Sequence, residues 1–254
     1  MSGRDLHTHT IFSDGTCTPE EMALAAAARG LDTLGFSDHS YTAFDESWCM
    51  KKSDIPRYLE RVRKLKEAYR GRLEILCGVE QDFYSDEPTE PYDYVIGSVH
   101  YLKVGDEYLP IDESAALLQD AAERYFGGDI YALAELYFET VSRVVEKTHA
   151  DIIGHFDLIS KFNEQTPLFD PQTPRYVAAW QAAADKLIAS GKPFEINTGA
   201  IFRGYKTVAY PAPEMLDYIA ARGGRFVLSS DSHQSGALCF AFERYAAYIL
   251  PKKR

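Results

Sequence analysis

Short apolar runs bounded by glycine, proline or polar clusters alternate along the chain with longer stretches whose apolar residues recur at helical spacing. This is the pattern of a parallel sheet with helical crossovers. A first strand is expected to end at His7 to His9. Thr18-Pro19-Glu20-Glu21 reads as an N-cap, a proline at the first helical position and a glutamate three residues after the cap, and the alanine-rich helix behind it should stop at Gly30. A second strand, Thr33 to Ser37, leads to Asp38 and His39. Leu73 to Val79 forms a third strand with Glu80 at its C-terminal end, and Tyr94 to Val99 a fourth that ends at His100. Glu113 to Lys147 reads as helix, broken once at Gly127-Gly128-Asp129. Asp151 to Gly154 is a fifth strand, delivering His155. After a loop from Thr166 to Pro174, a helix runs to Gly191, and Pro193 to Asn197 is the sixth strand. Met215 to Ala221 is helical, and Arg225 to Ser229 is a seventh strand running into Asp231 and His233.

Two segments stand outside this alternation. Ile55 to Tyr69 is amphipathic and rich in arginine and lysine, which predicts a solvated outer helix face. Tyr41 to Ser53 is polar and aromatic without periodicity and contains Trp48. Such a loop either folds over a site or is a surface excursion anchored by its tryptophan.

Composition narrows the choices. With 254 residues and 46% hydrophobic content the chain can bury a full core, in the size range where an α/β barrel forms one domain, so residues 1–254 are expected to be a single domain. A formal net charge of −11, from 38 acidic and 27 basic side chains, opposes docking on long nucleic acids. No apolar run reaches membrane-spanning length, and the start leads into the first strand without room for a secretory signal. Cys17, Cys49, Cys77 and Cys239 form no CxxC pair, so free thiols in a reducing cytoplasm are expected. The pattern says nothing about oligomeric state.

The candidate chemistry lies at the strand ends. His7, His9, His39, Glu80, His100, His155, Asp231 and His233 are each expected at or just past the C-terminal end of a parallel strand, the edge where β/α barrels build their sites. Side chains alternate along a strand, so His7 and His9 share a side. Six of the seven histidines belong to this set. The exception, His149, falls in the last turn of a helix, where the dipole favours an imidazole, and reads as structural or solvated. Imidazole and carboxylate donors without a thiolate cluster suit zinc, manganese or iron. Eight donors are too many for one tetrahedral ion, and Glu80, with two oxygens, can bridge a cluster of two or three. Asp14, in Ser13-Asp14-Gly15, is either a ninth ligand or a turn residue.

His7-Thr8-His9, Ser37-Asp38-His39, Gly78-Val79-Glu80, Gly97-Ser98-Val99-His100, Gly154-His155 and Ser230-Asp231-Ser232-His233 resemble the motif set of the polymerase and histidinol phosphatase (PHP) superfamily over nearly the whole chain. Phe194 to Gly199, Arg203 and Tyr210-Pro211 most resemble its small monofunctional histidinol-phosphate phosphatases. The resemblance implies a distorted TIM-like (β/α)7 barrel and a trinuclear metal centre. One ion would take His7, His9, Glu80 and Asp231, a second Glu80, His100 and His155, and a third His39, His233 and Asp14. It implies hydrolysis of a small phosphate monoester, L-histidinol phosphate in histidine biosynthesis, with a metal-bridging hydroxide as nucleophile and His7, His9, Glu80, His100, Asp231 and His233 as the catalytic set. Arg203 would clamp the phosphate through its guanidinium fork. Lys161 stands where such relatives carry an arginine and would add a point charge, and Asn197, on the strand face of Glu195, would hydrogen-bond in the pocket or support the barrel interior. Two other readings compete: a related phosphoesterase acting on a nucleotide, short oligonucleotide or sugar phosphate, and a metal-binding regulatory module without catalysis.

Overall fold

The computed structural model describes residues 3–249. In chain order the elements are β1 (Arg4–Asp5), α1 (Pro19–Ala28), β2 (Thr33–Phe36), α2 (Ile55–Ala68), β3 (Glu74–Asp82), β4 (Tyr94–Ser98), β5 (Tyr101–Val104), β6 (Glu107–Pro110), α3 (Ala115–Phe126), α4 (Ile130–Val141), α5 (Val144–Thr148), β7 (Ile152–Ile153), α6 (Pro174–Ala189), β8 (Phe194–Asn197), α7 (Gly199–Phe202), α8 (Pro213–Ala221), β9 (Phe226–Ser229) and α9 (Ala246–Ile249). Seven strands form one sheet in the order β1-β2-β3-β4-β7-β8-β9, and every neighbouring pair is parallel. The sheet curls until its edges nearly meet. Past the ends of β1 and β9, the His9 N–H donates to the Ser232 carbonyl at 2.8 Å and the Ser232 N–H to the His7 carbonyl at 3.1 Å. The α/β class and the distorted seven-stranded barrel are as the chain's patterning and resemblance led one to expect.

Local signals explain most boundaries. At α1 the Thr18 N–H donates to Glu21 Oε2 at 2.7 Å and the Glu21 N–H to Thr18 Oγ1 at 3.2 Å, the reciprocal box expected there. Gly30, at φ 70°, ends the turn behind it. Leu6, Tyr94, Ile96 and Ile152, with Leu76 and Val227, come from five different strands or their ends and form a small apolar cluster of their own. Larger cores lie between sheet and helices. One joins α1 and α2 to β2 and β3 through Met22, Phe36, Tyr58 and Ile75, and the other joins α3, α4, α6 and α8 to β5, β6, β7, β8 and β9.

Four expectations need correction. β3 runs on to Asp82, paired with Ser98, so Glu80 lies inside the strand and not at its end. The β3–β4 connection, residues 83–93, contains no helix, so one of the seven β/α units lacks its outer layer. Tyr101 to Pro110 is an antiparallel hairpin, β5–β6, where no strand was expected. Its Val-Gly-Asp-Glu turn, with Gly105 at φ 62°, is a hairpin signal. The expected helix between Glu113 and Lys147 also breaks twice, at Gly127 and again at Ser142-Arg143. None of these changes moves the histidines off the rim.

Candidate metal centre

His7 and His9 project to the same side because Thr8 between them is pinned the other way. The Thr8 N–H donates to Ser37 Oγ at 3.1 Å, and Thr8 Oγ1 donates to the Gly35 carbonyl at 2.8 Å. Asp231 follows β9 in a left-handed turn at φ 49°, a conformation aspartate tolerates better than most residues. Gly199 lets it swing inward, since a β-carbon there would come within 2.8 Å of Asp231 Cβ. Gly154 has the same purpose beside His155, where a side chain would collide with Ser98 Oγ.

The nine expected ligands meet in one place. His7 Nε2 and His9 Nε2 lie 3.1 and 3.5 Å from Glu80 Oε2, and 3.8 and 3.2 Å from Asp231 Oδ1. Bonds of about 2.0–2.1 Å put the donors of a tetrahedral ion about 3.3 Å apart, so these four atoms have the spacing of one ligand shell. Glu80 Oε1 faces a second group, 2.8 Å from His155 Nε2 and 3.4 Å from His100 Nε2. In a third, Asp14 Oδ2 is 3.1 Å from His233 Nε2 and Asp14 Oδ1 is 3.6 Å from His39 Nε2. The third group differs from the expected partition in one respect, because His9 Nδ1 also approaches it, 3.8 Å from Asp14 Oδ1. His39 likewise leans inward, with Nδ1 2.9 Å from Glu80 Oε2. His149 caps α5 on the exposed surface, away from all of this.

Electrostatics favour bound cations. Burial raises the Glu80 and Asp231 carboxyls, but His7, His39 and His100 outweigh it at Glu80, and Arg203 and His7 at Asp231, so both are held well below the usual range. Asp14 is lowered in the same way, burial being overcome by His39 and His233. Burial with His233 and His39 depresses the His9 imidazole to about 3, which keeps it neutral and able to donate a lone pair. His7 and His100 are raised well above an ordinary imidazole because carboxylates, Glu195 and Glu80 foremost, overcome burial. Among the described residues, several buried side-chain atoms without a hydrogen-bond partner belong to this cluster: His7 Nε2, both ring nitrogens of His9, His39 Nδ1, Glu80 Oε2 and His155 Nδ1. All but His155 Nδ1, whose ring faces Glu80 through Nε2, lie near other donors of the cluster, and unpaired atoms so arranged fit divalent transition-metal ions.

A layer of supporting residues fixes the ligands, and sequence reasoning assigned none of it. Glu195 Oε2 is 2.8 Å from His7 Nδ1, while its other oxygen accepts the His155 N–H at 2.5 Å. Asp82 Oδ2 accepts the His100 N–H at 3.1 Å and sits 3.2 Å from its Nδ1. Asp38 takes the Thr10 and Ser13 N–H groups, which shapes the loop that carries Asp14. Period two is the signal that could have found Asp82, two residues past Glu80 on one strand; for Asp38 no local pattern indicates the supporting role.

The centre opens into a cavity of about 540 Å³, lined also by Trp48, Tyr101, Asp112, Lys161 and Tyr205. Trp48 decides between the two readings of its loop. Its ring packs edge-on against His39 at 4.5 Å, and its Nε1–H donates to Tyr101 Oη at 2.7 Å, so the loop covers the site. Arg203 reaches the cavity from the end of α7, but its guanidinium is engaged: Nη2–H donates to Asp231 Oδ2 at 2.8 Å and Nη1 lies 2.9 Å from His233 Nδ1. Of the two roles open to Asn197, its position fits the supporting one and not substrate contact. It is fully buried, does not line the cavity, and its Nδ2–H donates to Glu195 at 2.9 Å and Asp231 at 3.3 Å, so it supports ligands and does not face a substrate. Lys161 does line the cavity, paired with Asp112.

Comparison with known proteins gives a consistent answer. Residues 5–199 match the PHP domain family. A Deinococcus radiodurans protein named "Probable histidinol-phosphatase" is 34% identical, over 94% of this chain and 89% of its own. The Bacillus subtilis histidinol-phosphatase is 26% identical, over 96% and 98%. Among solved structures, a candidate histidinol phosphatase from Listeria monocytogenes superposes with a TM-score of 0.80 at 24% identity, covering 95% of this chain and 99% of its own. Histidinol phosphate phosphatase from Lactococcus lactis, solved with zinc, L-histidinol and phosphate, gives 0.72 at 20% identity over 98% and 92%.

Proposed function

The chain belongs to the PHP domain family, and from that premise and the geometry of the rim we propose that it is a metal-dependent phosphoric monoester hydrolase that converts L-histidinol phosphate to L-histidinol and phosphate. The observation that carries the reading is the convergence of nine histidine and carboxylate donors from across the chain in one cluster, seven of them lining one cavity and His7 and His9 buried behind it. The names of the relatives, and the histidinol and phosphate bound by the Lactococcus protein, support the substrate.

Three ions, zinc, manganese or iron, are our reading of the donor set. His7, His9, Glu80 and Asp231 would hold the first, Glu80, His100 and His155 the second, and His39, Asp14 and His233 the third, with His9 between first and third. Such ions lower the pKa of a coordinated water toward about 7 and neutralise phosphoryl oxygens. The chain's own part is to hold the donors rigid, with Glu80, Asp231 and Asp14 kept ionised and His9 kept neutral. Glu195, Asn197 and Asp82 hold the rings and carboxylates in register, Arg203 ties Asp231 to the cavity edge and presents its remaining guanidinium donors to the phosphate, and Trp48 with Tyr101 limits water at the mouth. We read residues 1–254 as one catalytic domain acting on a small phosphorylated metabolite in the cytoplasm. No helix among the described residues is long and apolar enough to cross a membrane, and all four cysteines are free thiols.

Turnover of a panel of phosphate monoesters by metal-loaded protein tests the assignment. L-histidinol phosphate should exceed sugar and nucleotide phosphates in kcat/KM by at least about tenfold. Equal turnover across the panel removes the substrate and leaves the reaction; no hydrolysis by protein with confirmed metal content removes both.

A further inference from the structure

The cavity has two walls of different chemistry. One is the metal centre; the other carries three carboxylates outside the ligand cluster, Asp45, Asp112 and Glu113. Asp45 is consumed by its own loop and the hairpin: Oδ1 accepts the Ser47 N–H and Oγ–H at 3.0 and 2.6 Å, and Oδ2 accepts the Tyr101 Oη–H at 2.6 Å. Glu113 is exposed at the rim. Asp112 is different. Lys161 Nζ donates to its backbone carbonyl at 2.7 Å and to Oδ2 at 3.1 Å, while among the described residues no hydrogen bond engages Oδ1. The Ile111 N–H, one residue before it, donates to the His100 carbonyl at 3.0 Å, which ties this carboxylate to a strand end that carries one of the proposed ligands.

We propose that Asp112 is the specificity-determining residue that recognises the substrate's ammonium group, with Lys161 as its positioning residue. The inference rests on the L-histidinol phosphate reading and deepens it. In that substrate the ammonium lies two carbons from the ester oxygen, so an amine-reading group must stand beside the metal centre and not at the outer rim. Asp112, half-buried in the cavity lining and next to the hydrogen bond between Ile111 and His100, is better placed for this than the exposed Glu113. A carboxylate fixed through one oxygen by Lys161 keeps the other aligned for an incoming N–H, and the ordering cost is met before the substrate arrives. The pairing also changes the expected role of Lys161: its ammonium is committed to Asp112, so it acts through that residue and not as a second phosphate clamp.

The test compares L-histidinol phosphate with its analogue lacking the amine, in wild type, Asp112→Asn and Lys161→Met. Asp112→Asn should lower kcat/KM for L-histidinol phosphate about 10- to 100-fold, mainly through KM, and change the amine-free ester less than about threefold. Calorimetry should show L-histidinol binding weakened by a similar factor and inorganic phosphate binding unchanged. Lys161→Met should follow the same split to a smaller extent. Equal losses on both esters in Asp112→Asn, or lost phosphate binding in Lys161→Met, overturn the proposal. A wild type that does not favour the amine-bearing ester overturns the substrate reading instead, and so the two failures are distinguishable.

Discussion

The C-terminal rim of the barrel and the outer face of α2 are both crowded with charge, and they behave as opposites. On α2, Arg63 bridges Glu60 and Glu67 at 2.8 and 2.7 Å, Lys64 reaches Glu60 at 3.3 Å, and each of these side chains is roughly half exposed or more. At the rim, His7, His9, Glu80 and His155 are almost wholly buried and come from positions far apart in sequence. Water can replace any partner on α2. At the rim nothing replaces a lost partner, so each charge is balanced only by another part of the fold. Similar donor–acceptor distances therefore mean solubility in one place and chemistry in the other, and substitutions should separate the two by orders of magnitude.

The largest effects belong to the shared ligands. Glu80→Ala removes both oxygens on which two ligand groups converge, and His100→Ala opens the second group. Each should lower kcat by about 10³-fold or more and reduce the metal retained per chain, read by elemental analysis on gel-filtered protein. Full metal content with near-normal turnover in Glu80→Ala would break the comparison at its strongest point.

One layer out, Glu195→Gln keeps the size and removes the charge that orients His7. Metal affinity, measured by titration with a buffered chelator, should fall about 10- to 100-fold, with turnover restored at saturating metal. Arg203→Ala comes next. Its guanidinium contacts Asp231 and His233, so kcat/KM should fall about 10²-fold, inhibition by inorganic phosphate should weaken, and Arg203→Lys should recover little because the planar fork is lost. An Arg203→Ala protein whose phosphate inhibition is unchanged would confine this residue to holding Asp231.

How much of this was readable beforehand follows from the same contrast. The rim histidines were legible because strand-end placement repeats, and a parallel barrel converts repeated strand ends into one location. The α2 charges were legible as solvated because an amphipathic helix announces which side is wet. The two roles open to Asn197 are not separable by sequence, because period two gives the face a residue shares but not how deep it lies; its amide is spent on Glu195 and Asp231. Lys161 was placed correctly at the cavity but its partner, 49 residues away, belongs to a connection with no periodic signal. The β5–β6 hairpin was missed for a related reason: four-residue strands that pair only with each other show too little pattern to separate them from a loop.

The smallest expected effect is the sharpest control. Hydrogen bonds from Arg63 hold the Glu60 carboxyl down to about 2. A carboxyl lowered on folding adds stability above its unfolded value of about 4.5 and loses it as pH falls through the folded value. The ion pair should therefore help at pH 7, lose most of its effect by about pH 2 and have none below that. It is fully wet, however, so screening by salt and the entropy of two long side chains cancel most of the gain. Glu60→Gln should shift Tm by less than about 2 °C at pH 7, by less still in about 0.5 M salt, and leave metal content and turnover at wild-type values. A loss of metal affinity comparable to that of Glu195→Gln would mean that exposure is not what separates the two regions, and the buried charges of the rim would then need a different explanation from the one their isolation supplies.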